Sequence, residues 1–154
     1  MNNNTHLTTL PSTIFNHVPN LNTLHLDGNR IATLTPGTFA GLLKLNLLDL
    51  SGNSLRTVSA GVFSDAPNLH YLSLNSNLID NLPGGVFRGL NNLLKLSINH
   101  NDLKTLPNGV FKGLMNLKVC VCVCVCVCVC VCRARGRSCV PRSRSRYLLR
   151  GTPR

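Results

Sequence analysis

The sequence predicts an α/β solenoid, with short parallel strands stacked along one face and an irregular, 3-10 or short helical return path along the other. Three observations predict it. Leu21, Leu45, Leu69, Leu93 and Leu117 stand 24 residues apart; each complete unit carries LxxLxLxxN; and all five phenylalanines, Phe15, Phe39, Phe63, Phe87 and Phe111, keep the same interval. Self-similarity at a period of about 20–50 residues marks a stack of coils, because one such unit cannot enclose its own apolar side and must share it with its neighbours.

The chain divides accordingly. Residues 1–119 read as the repeat array: a part unit over 1–20, full units over 21–44, 45–68, 69–92 and 93–116, and a truncated unit from Leu117. Leu7, Leu10, Pro11 and Phe15 match the second half of a unit, so the array begins inside a repeat. In each full unit the alternating pair, Leu24/Leu26, Leu48/Leu50, Leu72/Leu74 or Leu96/Ile98, puts its side chains on one side of a short strand. The second apolar pair, Ile31/Leu34, Leu55/Val58, Ile79/Leu82 or Leu103/Leu106, closes on the same interior.

Asn29, Asn53, Asn77 and Asn101 follow the strands where the chain bends and backbone groups lose their ladder partners. A carboxamide both donates and accepts, so this column can satisfy those groups along the stack. The phenylalanines, Phe39, Phe63, Phe87 and Phe111 in the full units, are expected to form a spine on the opposite side, each ring filling a gap between coils.

These residues resemble the 24-residue leucine-rich repeat of extracellular proteins. The segments Leu82-Pro83-Gly84-Gly85-Val86-Phe87-Arg88-Gly89-Leu90 and Leu106-Pro107-Asn108-Gly109-Val110-Phe111-Lys112-Gly113-Leu114 are similar to units of Toll-like receptors, Slit-type guidance proteins and variable lymphocyte receptors. The resemblance covers about residues 5–119. It implies a horseshoe with its parallel sheet on the concave side, and a protein ligand or co-receptor gripped there. It also implies an extracellular or cell-surface address. The chain opens Met1-Asn2-Asn3-Asn4-Thr5 with no apolar leader, and the cysteine-rich caps of the extracellular members have no counterpart. A fragment of a longer ectodomain is therefore expected, with core leucines exposed at both ends. Membrane association would come only through missing parts of a parent protein.

The residues between the strand leucines face away from the interior and are the candidate partner-binding set. They fall in three columns: Thr23, Leu47, Tyr71 and Lys95; His25, Asp49, Ser73 and Ser97; Asp27, Ser51, Asn75 and Asn99. His70 and His100 lie at the margin. Tyr71 is the best anchor, since it joins a large apolar ring to a hydroxyl at low entropic cost, with Leu47 beside it. His25, Asp49 and Ser73 share a column, yet a hydrolytic triad needs imidazole between hydroxyl and carboxylate, and here Asp49 takes the middle. No catalytic residue, cofactor or metal ligand is assigned, and His25, His70 and His100 lie on different strands without a shared spacing. Asn3-Asn4-Thr5 is a glycosylation triplet.

Charge and cysteine separate the remainder. Residues 1–119 hold eight basic and five acidic side chains, net +3; residues 120–154 hold eight arginines and no acid, net +8, along with all eight cysteines. Residues 120–132 continue a Val-Cys alternation begun at Val119, and 133–154 form an Arg/Ser-rich tail with the composition of a disordered segment. Taken as protein, the run reads as one extended strand that extends the sheet, because Cys120 and Cys122 fall where the unit places its strand leucines. Repeated CxC also resembles thiolate sites for zinc or copper. A (GT)n tract translates as Val-Cys in every forward frame, so the run also reads as a translated dinucleotide repeat, which would leave the residues after it outside the family's reading. The tail could hold heparin-like chains or RNA through salt-sensitive contacts, although Tyr147 alone offers a stacking ring and nucleic acid is not the expected partner.

Overall fold

The computed structural model describes residues 6–12, 14–122 and 128–130. Its strands are β1 (Thr23–His25), β2 (Leu47–Asp49), β3 (Tyr71–Ser73), β4 (Lys95–Ser97), β5 (Val119–Cys122) and β6 (Cys128–Cys130), in one sheet ordered as in sequence. The first five run parallel, and every register shift is one 24-residue period: Leu24 pairs with Leu48, Leu48 with Leu72, Leu72 with Leu96 and Leu96 with Cys120. Each coil therefore repeats the previous one, and its strand leucines line up in rows.

The rows are the core. Buried apolar side chains form one continuous cluster from Leu10 to Leu117, and Leu26, Leu50 and Leu74 are all fully enclosed. Burying a leucine contributes roughly 1.5–3 kcal/mol, but only a neighbouring coil can complete the enclosure. The N-terminal part unit stacks in the same way, with Arg30 and Ala32 amides donating to the carbonyls of Leu7 and Thr8 at 3.1 and 3.0 Å.

The return path is built of successive turns, and no helix is assigned among the described residues. In the coil after β2, turn hydrogen bonds link Val62 to Ser59, Ser64 to Gly61, Ala66 to Phe63 and Leu69 to Ala66. Each turn delivers one apolar side chain inward before the chain reverses again. Inside this path the five phenylalanine rings stack, with centroids 5.9–6.3 Å apart and planes within 14°.

The asparagine column ties the strand side together. Asn77 Nδ2 donates to the carbonyls of Leu50 (3.0 Å) and Leu74 (3.2 Å), while its Oδ1 accepts from the Leu55 amide at 3.1 Å. Asn53 and Asn101 repeat the pattern on their own neighbours, and Asn29 donates to Leu26 in its own coil. A second column carries no part in the reading of the sequence. Asn68, Asn92 and Asn116 donate to the carbonyls of Leu43, Pro67 and Asn91 in the preceding coil, at 2.7, 3.1 and 2.9 Å. Its signal was available, since Asn20, Asn68, Asn92 and Asn116 each stand just before a unit's first leucine. No buried side-chain polar atom among the described residues lacks a partner.

The residue just ahead of each ladder asparagine turns the chain with positive φ: Gly28 and Gly52 at 64°, Ser76 at 52° and His100 at 54°. A side chain in this conformation costs roughly 1–2 kcal/mol, offset in part by the roughly 0.5–1 kcal/mol that glycine loses in chain entropy. Ser76→Gly should thus stabilise the fold by up to about 1 kcal/mol, read as a rise in the urea midpoint. Gly52→Ala should lower it, because the added methyl would also lie 3.4 Å from the Gly28 nitrogen.

The Val-Cys run does not continue as one strand. β5 docks parallel on β4, and β6 returns antiparallel on β5, pairing Cys120 with Cys130 and Cys122 with Cys128. A docked β-rich segment leaves its outer edge unpaired, and a returning strand satisfies that edge. The triplet Asn3-Asn4-Thr5, the remainder of the run and the Arg/Ser-rich tail lie outside the described residues, and so do the readings made of them.

Candidate binding face

Parallel register sets the geometry of the exposed face. Strands pack about 4.8 Å apart, so residues at equal repeat positions become near neighbours in columns. The first column runs Thr23, Leu47, Tyr71, Lys95 and continues to Val119. Tyr71 is 43% and Val119 40% exposed, with Leu47 partly covered between Thr23 and Tyr71. Val119 belongs to the face although it is not among the candidate residues named from the sequence. Its position two residues after Leu117 matches Tyr71 after Leu69 and was the available signal.

The second column is His25, Asp49, Ser73 and Ser97. His25 is exposed and Asp49 and Ser73 are half-buried, whereas Ser97 is only 8% exposed. Ser97 therefore departs from the expectation of an outward, accessible residue, unlike Ser73 at the same position one coil earlier. The register keeps Asp49 between His25 and Ser73, the order that a hydrolytic triad cannot use.

In the third column Asp27, Ser51, Asn75 and Asn99 are all half-buried. Asn75 spends its Oδ1 on the Asn99 amide at 3.1 Å, so it also braces the adjacent coil. The Ser51 amide donates to Asp49 Oδ1 at 2.9 Å and fixes that carboxylate. At the margin, His70 Nδ1 lies 2.7 Å from the Asn68 carbonyl and 3.1 Å from Asn46 Nδ2, which places its ring between two coils. His100 takes the positive-φ turn.

Charge is polarised along the face. Asp27 and Asp49 lie at the β1–β2 end, with His25 Nδ1 3.7 Å from Asp27 Oδ1, and Lys95 lies on β4. Between them is a depression of about 270 Å³ lined by Leu47, Asp49, Tyr71, Ser73, Asn75 and Lys95. It offers an apolar and aromatic wall with a carboxylate at one end and an ammonium at the other. Such a mixture suits a side chain or loop of a protein partner more than a deeply enclosed small molecule.

The leucine-rich repeat family model matches residues 2–55, 19–79 and 67–119. The chain is a leucine-rich repeat protein. Among solved structures it is similar to a chain of the Toll–Spatzle complex, described as a molecular hub in Drosophila development and innate immunity. The two are 26% identical with a TM-score of 0.69, over 74% of this chain and 15% of the other. This chain thus spans a small part of that one's length. The search of curated proteins gives no match. Leucine-rich repeat arrays typically serve as non-catalytic interaction modules, and the present array has the parallel sheet and open curvature of that fold. No helix among the described residues is long and apolar enough to cross a membrane.

Proposed function

We propose that this leucine-rich repeat array is a non-catalytic binding module of a secreted or cell-surface receptor or adhesion protein, which grips a protein partner on the concave face of its sheet. The observation that carries the reading is the depression around Tyr71. There an exposed aromatic ring lies between a partly covered leucine and a lysine, on a sheet whose backbone is already paired. Aromatic anchors flanked by satisfied polar groups are the usual centres of binding energy. The similarity to a chain of the Toll–Spatzle complex supports both the partner class and the address.

The test is a screen of the full chain against an array of purified extracellular domains, followed by affinity measurement on each hit. Tyr71→Ala should weaken a genuine partner by about 2 kcal/mol, or roughly 30-fold, with an unchanged circular dichroism spectrum. Arg88→Ala, an exposed residue of the return path, should leave affinity as it is. Hits that bind wild type and Tyr71→Ala equally, while losing affinity on changes to the return path, would overturn the concave assignment.

A further inference from the structure

We propose that His25, Asp27 and Asp49 form a binding site for a divalent transition cation, with zinc the best chemical match. His25 and Asp49 are register partners on β1 and β2, and Asp27 stands two residues beyond His25 on the same face. One ligand atom from each lies within 4.8 Å of the other two. Donors on a tetrahedral zinc at about 2.0–2.1 Å each lie roughly 3.3–3.4 Å apart, so side-chain rotations that draw these atoms about 1 Å or more closer together would close the site.

Two further features fit a cation. Among the described residues neither carboxylate has a lysine or arginine nitrogen within 4.0 Å, so two half-buried negative charges face each other beside one imidazole. A divalent ion would neutralise both. The Ser51 amide already holds Asp49 Oδ1, leaving Oδ2 to ligate an ion with its carboxylate oriented from behind. One imidazole with two carboxylates favours zinc or its transition-metal neighbours over calcium or magnesium, which take all-oxygen sets. The remaining coordination positions open onto the concave face. The triplet was hidden in sequence because its members sit in two repeats and two columns, and only the register unites them.

The experiment uses the full chain with its thiols alkylated, because the cysteines from Cys120 onward would otherwise take up the same metal. Zinc is titrated by calorimetry while the imidazole resonances are followed by NMR. The expected result is one-to-one uptake with shifts at the His25 ring, weakened at least tenfold in His25→Ala and in Asp49→Asn and unchanged in His70→Ala. Uptake equal in wild type and His25→Ala would overturn the site. So would a wild-type His25 ring that stays unshifted at millimolar zinc, a reading that needs no variant to fold.

Discussion

Phe63→Ala should cost about 3–5 kcal/mol, the largest loss expected of any single truncation in this chain. The ring is fully enclosed and stacked on both sides, 5.9 Å from Phe39 and 6.3 Å from Phe87. Removing it opens a cavity between two coils and also deletes two aromatic contacts, each adding roughly 0.5–1.5 kcal/mol beyond area burial. Phe111 ends the stack, has one neighbouring ring and is only partly buried, so Phe111→Ala should cost visibly less. Urea unfolding separates the two. Because coils in such an array touch only their neighbours, a gap at Phe63 should also broaden the transition as the two halves of the array uncouple. Equal midpoints for the two variants would contradict a spine that works by stacking.

Asn77→Ala should come next. Its side chain serves three carbonyls, those of Leu50, Leu74 and Asn75, and the Leu55 amide, on either side of a coil boundary, and an unpaired buried group costs on the order of 1–3 kcal/mol. Losing these partners at one site places the total at about 3 kcal/mol or more. Asn77→Asp makes a sharper comparison. It keeps an oxygen for the Leu55 amide but replaces the donating Nδ2 with a carboxylate oxygen facing three carbonyl oxygens, so it should destabilise at least as much as alanine despite its matching shape. Thermal unfolding of the pair reads this directly. An aspartate variant close to wild type would show that acceptance by Oδ1, rather than donation by Nδ2, carries the ladder.

How far these features are legible in the sequence alone depends on whether they repeat. Leu24, Leu48, Leu72 and Leu96 recur with the same neighbours, and a periodic signal of that kind leaves one arrangement that buries every copy. The turn path was less legible. Its shape depends on glycines such as Gly61 and Gly85 at positive φ, where local conformation rather than apolar spacing sets the course, and a short helix was an equal expectation. The buried state of Ser97, the antiparallel return at Cys128–Cys130 and the approach of Asp27 to His25 happen once each, so no period announced them. The column Asn68, Asn92 and Asn116 is the instructive exception. It repeats, yet asparagine before a leucine blends into loop composition, and its hydrogen bonds emerge only when adjacent coils are placed together.

Amide hydrogen exchange, resolved residue by residue, tests the stacked-coil arrangement most directly. The amides of Ile31, Leu55 and Ile79, each held by the asparagine of the next coil, should be protected together with strand-end amides such as Leu26, Leu50 and Leu74, and protection should recur every 24 residues. In Asn77→Ala, protection at Leu55 should fall well before that at Ile31. Protection without the 24-residue recurrence, or a Leu55 amide that exchanges as slowly in the variant as in wild type, would contradict the arrangement.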